Sequence, residues 1–132
     1  MVHRVIVPAL FPPPAYAHAA VIEAGQRLAF MAGAVPLDGD GDLVGAGDHI
    51  AQTRQVLTNL RTALNAIGSD LGNVLSSTVY VVASSQEDLG RVWEIVRDSE
   101  LAAGPHTSTL LGVSCLGYTG QLVEITAVAF VP

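Results

Sequence analysis

Two segments of helical hydrophobic period, set among runs of β-branched residues, constrain the fold of this chain more than any other feature. Ile50, Leu57, Leu60, Leu64 and Ile67 fall on one stripe of a helix. Asp48 stands before the stripe with a side-chain oxygen to cap free N–H groups, and Gly68 stands after it as a stop. Leu89, Val92, Trp93 and Val96 make a second stripe, running to about Ser99. Ser85-Gln86-Glu87-Asp88, which has the form of a capping box, opens it. Strand-like runs surround the helices: His3–Val7, His18–Ala24, Arg27–Gly33, Val74–Val82, Thr107–Val113 and Gln121–Val131. Gly25-Gln26 separates the second run from the third, a spacing that suits a two-residue hairpin. The order β-β-β-α-β-α-β-β predicts a two-layer α+β fold: a mixed six-stranded sheet with both helices on one face.

No internal repeat or linker interrupts the pattern, so residues 1–132 are read as a single domain. One layer of helices covers one sheet face only. The chain is 50% hydrophobic with a mean hydropathy of +0.45, so the other face needs cover, most simply by another copy of the chain. No run approaches the ~20 apolar residues of a membrane helix, and Pro8 and Pro12–Pro14 break any signal-peptide core. Pro12–Pro14 is expected to be extended. A lone Cys115 agrees with a reducing, cytoplasmic setting. All six basic residues are arginines, scattered among twelve carboxylates at a net charge of −6. Nucleic-acid binders cluster their cations, so such a role is disfavoured.

Few local motifs carry chemistry. Asp38-Gly39-Asp40-Gly41-Asp42 begins like a calcium loop, but Leu43 and His49 stand where that loop needs glycine and glutamate, so a solvated turn is expected. His3, His18, His49 and His106 show no ligand spacing with one another or with Cys115, so no metal site is expected. Cys115, in an apolar stretch, reads as a small buried hydrophobe. His106 and Ser108 point to the same face of a strand, which leaves either a Ser/His pair or ordinary strand-end polar residues. Glu124 is the carboxylate in a closing strand otherwise free of carboxylates. It either faces water or serves a site, because burying it unpaired is costly.

Taken in order, several fragments resemble the Rid family, also called YjgF. Pro14-Ala15-Tyr16-Ala17-His18-Ala19 is similar to its G-P-Y-S-Q/H-A segment, and Ala32-Gly33-Ala34-Val35-Pro36 to S-G-Q-I/V-P. Gln52–Leu60 is similar to the family's A-x-Q-x-x-x-x-L-x-N-L helix, and Leu122–Ala129 to L-V-E-I-E-A-I-A. The resemblance implies a chorismate-mutase-like homotrimer with a barrel-like core and small-molecule clefts between subunits. It also implies hydrolysis of imines or enamines without metal or cofactor. An arginine would clamp the substrate carboxylate, and a glutamate, here Glu124, would position water.

The chain departs from the family pattern at the clamp. Against P-A-R-S-x-V it has Pro105-His106-Thr107-Ser108-Thr109-Leu110, so Thr107 stands where the arginine belongs. Thr109 stands where some members have cysteine, Trp93 where active members often have asparagine, and the segment between Thr107 and Glu124 is longer than usual. A charge-assisted hydrogen bond is worth ~1.5–3 kcal/mol, so hydrolysis of ordinary 2-imino acids is not expected. Arg91 is weighed as a substitute and read as solvent-facing. The implied site contains Glu124 with Tyr16, Gly33, Trp93, Thr107, Ser108, Thr109 and Tyr118. Two functions stay open: a deaminase of imines without the carboxylate, and a non-catalytic metabolite-binding or regulatory protein. Neither involves nucleic acid or membrane.

Overall fold

The computed structural model describes residues 2–13, 15–103 and 106–132. Pro14 and Pro105 lie outside the described residues, and with them the extended conformation expected at Pro14 and the first positions of the two family-like segments that begin at Pro14 and Pro105. The strands are β1 (Val2–Val5), β2 (Ala19–Ile22), β3 (Arg27–Phe30), β4 (Val74–Val82), β5 (Thr107–Val113) and β6 (Val123–Val131). The helices are α1 (His49–Ala66) and α2 (Gln86–Arg97). The α+β class and all six expected strands are present. They divide into a β1–β2 ribbon and a four-stranded mixed sheet of order β3-β6-β4-β5. No helix among the described residues is long and apolar enough to cross a membrane.

The hairpin expected at Gly25-Gln26 does not form. A turn is there, with the Gln26 N–H reaching the Glu23 carbonyl at 3.4 Å and Gly25 at φ +89°. Positive φ at the third position of the turn is the type II signature, and such a turn splays its strands rather than pairing them. Accordingly β2 pairs with β1, and β3 pairs with β6.

α1 begins as expected, with the Asp48 carboxylate accepting from the Ile50 and Ala51 N–H groups at 3.0 Å each. Its buried face is Gln52, Thr53, Val56, Leu57, Leu60 and Leu64. Ile50 and Ile67, at the helix ends, are exposed instead of sharing that stripe. The capping box of α2 is only half made. Ser85 makes no side-chain cap, while the Asp88 carboxylate reaches back past it to the Ser84 N–H at 3.0 Å. Both helices bury their apolar residues against one sheet face, where Val79, Val81, Val123, Ile125, Ala127 and Ala129 join the core.

Strict alternation along β6 then leaves Glu124, Thr126, Val128 and Phe130 on the opposite face. Leu28 pairs with Phe130, and Phe30 with Val128, on that same open face. Phe30 is 79% exposed there, a large apolar surface without cover from its own chain.

Candidate functional site

The alternation that drives Val123 and Ile125 into the core aims Glu124 at the open face, opposite Tyr80 of β4. Its Oε1 accepts from Gln121 Nε2 at 3.0 Å. The Gln121 amide is oriented by its other contacts. Its Oε1 accepts from the Tyr118 N–H at 3.1 Å, and its Nε2 also donates to the Val123 carbonyl at 3.1 Å. Because a backbone N–H only donates, the amide oxygen must face Tyr118 and the nitrogen must face Glu124. No arginine or histidine pairs with Glu124 among the described residues.

Gly33 completes this corner. An Ala34–Ile125 bridge holds its segment against β6, through bonds of 2.8 and 3.2 Å. A Cβ on Gly33 would lie 2.7 Å from Glu124 Cδ, so the bare backbone is what leaves room for the carboxylate.

Sequence reasoning missed Gln52, which is fully buried. Its Nε2 donates to the Gly45 and Gly120 carbonyls, at 3.1 Å each, and its Oε1 accepts from the Leu122 N–H at 2.7 Å. It thus ties the turn before β6 to α1. The signal was available, since Gln52, Val56 and Leu60 lie at i, i+4 and i+8 on one helix face. Gln121, three residues before Glu124, carried no comparable periodic signal.

Thr107 and Thr109 also point to the open face, but not beside Glu124. Thr107 pairs with Ser76, which is opposite Val128, whereas Glu124 is opposite Tyr80. Four residues along the strands and two strand spacings across put them ~16 Å apart in one chain. The Thr107 hydroxyl donates to the Leu75 carbonyl at 2.7 Å. Thr109 is exposed.

Tyr16, Trp93 and Ser108, with Leu110, line a cavity of about 270 Å³ beneath the β5 edge, on the helix side of the sheet. The Tyr16 and Trp93 rings meet edge to face, with centroids 6.4 Å apart. Behind Ser108, the Ser77 hydroxyl lies 3.0 Å from the Ser108 hydroxyl and 3.2 Å from His106 Nε2. His106 is fully buried, and burial, helped by the nearby Arg4 charge, lowers its pKa to about 4. His106 and Ser108 do share a face, but Ser77 stands between them and the imidazole is a poor base at neutral pH. They are not a nucleophile–base pair.

Tyr118 is exposed beside a separate hollow of about 380 Å³ formed by residues 114–122 and Val82. Cys115 lines that hollow and is exposed, not buried, because the segment after β5 turns away from the core. The Arg91 side chain donates to Asp88 at 2.9 Å on the outer surface of α2, the solvent-facing role expected of it. One chain therefore brings Glu124 and Gly33 together, with Tyr118 joined to them through its backbone N–H and Gln121, brings Tyr16, Trp93 and Ser108 together, and leaves Thr107 and Thr109 apart from both groups.

The family model described as endoribonuclease L-PSP matches residues 9–131. Protein DfrA of Myxococcus xanthus is 33% identical over 86% of this chain and 83% of its own. A RutC family protein of Pyrococcus horikoshii is 33% identical over 90% of each chain. The 3-aminoacrylate deaminase RutC of Acinetobacter baylyi is 31% identical over 61% of this chain and 64% of its own. Among solved structures, the Rid-family protein of unknown function YyfB from Yersinia pestis superposes with a TM-score of 0.90 at 30% identity, covering 98% of each chain.

Proposed function

The chain belongs to the Rid family, and from that premise we propose that it works as a homotrimer that hydrolyses imines or enamines lacking the usual carboxylate. The observation that carries this reading is Glu124, a carboxylate on an open sheet face, steered by Gln121 over side-chain-free Gly33 and paired with no cation among the described residues. Such a group takes a proton from water as the water adds to the C=N carbon. The proton passes to nitrogen, the hydroxyl proton of the tetrahedral intermediate follows it through the same carboxylate, and the C–N bond breaks to release ammonia and leave a carbonyl. One water is consumed and one ammonia released, with no net oxidation and no need of metal or cofactor. The deaminase named among the relatives supports the reaction class.

The restriction on substrate rests on Thr107. Its hydroxyl is occupied by the Leu75 carbonyl, and it carries no charge to hold a carboxylate. Arg4 and Arg91 are engaged elsewhere, with the Gly72 carbonyl and with Asp88. The ~16 Å between Thr107 and Glu124 in one chain supports a cleft completed by a second subunit. There the Tyr16, Trp93 and Ser108 cavity of one copy, with Thr107 and Thr109, would meet Glu124, Gly33 and Tyr118 of the next. The exposed Phe30, Leu28 and Leu111 on the open face support the association. The ribonuclease of the family description is not carried over, because a net charge of −6 without lysine opposes phosphate binding.

The separation of the Tyr16–Trp93 cavity from Glu124 favours a second reading, binding without turnover. An amine oxidase acting on a primary amine, with semicarbazide as the trap, decides between them. Deamination lowers the yield of trapped product and speeds ammonia release, and Glu124→Gln abolishes both. Ligand-dependent thermal stabilisation with no ammonia released would establish the binder.

A further inference from the structure

The three polar side chains behind the Tyr16–Trp93 cavity form a hydrogen-bonded chain that has one direction. His106 Nδ1 is buried and has no hydrogen-bond partner among the described residues. A proton on Nδ1 would leave an orphan buried N–H, which proteins avoid more strictly than an unsatisfied acceptor. The proton therefore sits on Nε2, and the low pKa of the buried ring keeps it neutral at ordinary pH. Nε2–H then donates to Ser77 Oγ across 3.2 Å. The Ser77 hydroxyl proton turns to its other neighbour, Ser108 Oγ, at 3.0 Å. Ser108 accepts that bond, and its own proton has no other acceptor among the described residues. It faces the cavity that Ser108 lines with Tyr16, Trp93 and Leu110.

We infer that His106 and Ser77 hold the Ser108 hydroxyl as a fixed hydrogen-bond donor, so that the cavity selects a small, largely apolar ligand carrying an acceptor lone pair, a carbonyl oxygen or an imine nitrogen. Ser108 is the specificity-determining residue, and Ser77 and His106 are positioning residues. The aromatic and aliphatic walls take the body of the ligand, and the single donor orients it. A protonated amine offers no lone pair and is disfavoured. This inference rests on the proposed reading of the cavity as part of a ligand site and sharpens it.

Titration calorimetry on the full chain with acetophenone and with cumene, its apolar near-isostere, tests the inference. The parent is expected to bind acetophenone about fivefold to tenfold more tightly than cumene, the worth of one neutral hydrogen bond. Ser108→Ala should make the two probes equal. Ser77→Ala should lower the preference about threefold, because Ser108 then samples three staggered wells instead of one. Ser77→Thr should keep the preference. A purely structural role for Ser77 would weaken both probes alike and leave their ratio unchanged. That result, or equal binding of the two probes by the parent, overturns the inference and leaves the ligand site standing. If neither probe binds, the cavity is not a ligand site, and the proposed cleft fails with it.

Discussion

Gln121 and Glu124 are locked side chain to side chain at 3.0 Å, and a backbone N–H at Tyr118 dictates which end of the amide faces the carboxylate. The carboxylate is thus held by one neutral donor and left free to accept from water. Replacing Gln121 by Ala removes that donor and loosens the turn, which hangs on the same amide. Turnover of a neutral imine is expected to fall about tenfold or more, on the scale of a lost hydrogen bond to a charged group. Steady-state ammonia release from the variant measures it. Unchanged turnover would show that the pair has no part in the reaction.

Gly33 and Glu124 should be coupled sterically. Gly33→Ala places a methyl group against the Glu124 carboxylate. Overpacking of this kind typically costs ~1–3 kcal/mol. In a Glu124→Ala background the obstruction is gone, so the same Gly33→Ala change should cost much less. A double-mutant cycle in urea unfolding gives the coupling, and additive costs would refute the contact.

How far the sequence reveals this arrangement depends on what a local pattern can encode. The period of two along Val123–Val131 places Glu124 on the non-core face, and the helical period of Leu57, Leu60 and Leu64 marks the core face of α1. Both are properties of a single segment. Strand pairing is not. Nothing local says that Thr107 lies opposite Ser76 and four residues from the Glu124 level, so the sequence assigns both to one implied site without revealing that they stand ~16 Å apart in the chain. The hairpin at Gly25 fails for a related reason, since the dipeptide signals a turn while the turn type decides whether its strands pair. Gln52 was legible in principle, as a polar residue on an apolar helix face. Ser77 was not, because its meaning comes from His106 and Ser108 across the β4–β5 pairing.

Stability should depend on pH through His106. Its folded pKa, about 4, lies below the ordinary value of 6.5 because burial disfavours the cation. Between those values the unfolded chain binds the proton and the folded chain does not, so the unfolded state gains as pH falls. The contribution of His106 is complete above pH ~6.5 and is lost progressively down to pH ~4. Urea midpoints at pH 7.5 and pH 5 should therefore differ more for the parent than for His106→Gln, which has nothing to titrate at that position. Equal differences in the two proteins would contradict the assignment.

Assembly is tested at Phe30. The trimer proposal places its 79% exposed ring, with Leu28 and Leu111, against neighbouring copies. Sedimentation at micromolar concentration is expected to show a trimer for the parent and dissociation for Phe30→Glu, whose charge cannot be buried unpaired. A monomeric or dimeric parent would remove the intersubunit cleft from consideration.

This member of the family is proposed to handle imines without a carboxylate, because Thr107 carries no charge to hold one. The most direct measurement compares two imines that differ only in that group, 2-iminopropanoate made by an amino-acid oxidase and ethylidene imine made by an amine oxidase, each with semicarbazide trapping. The parent is expected to accelerate hydrolysis of the neutral imine and to leave the 2-imino acid nearly untouched. Thr107→Arg should raise the second rate by about one to two decades, the worth of a charge-assisted bond. Equal or preferential hydrolysis of 2-iminopropanoate by the parent would contradict the claim and show that another group in the assembled cleft holds the carboxylate.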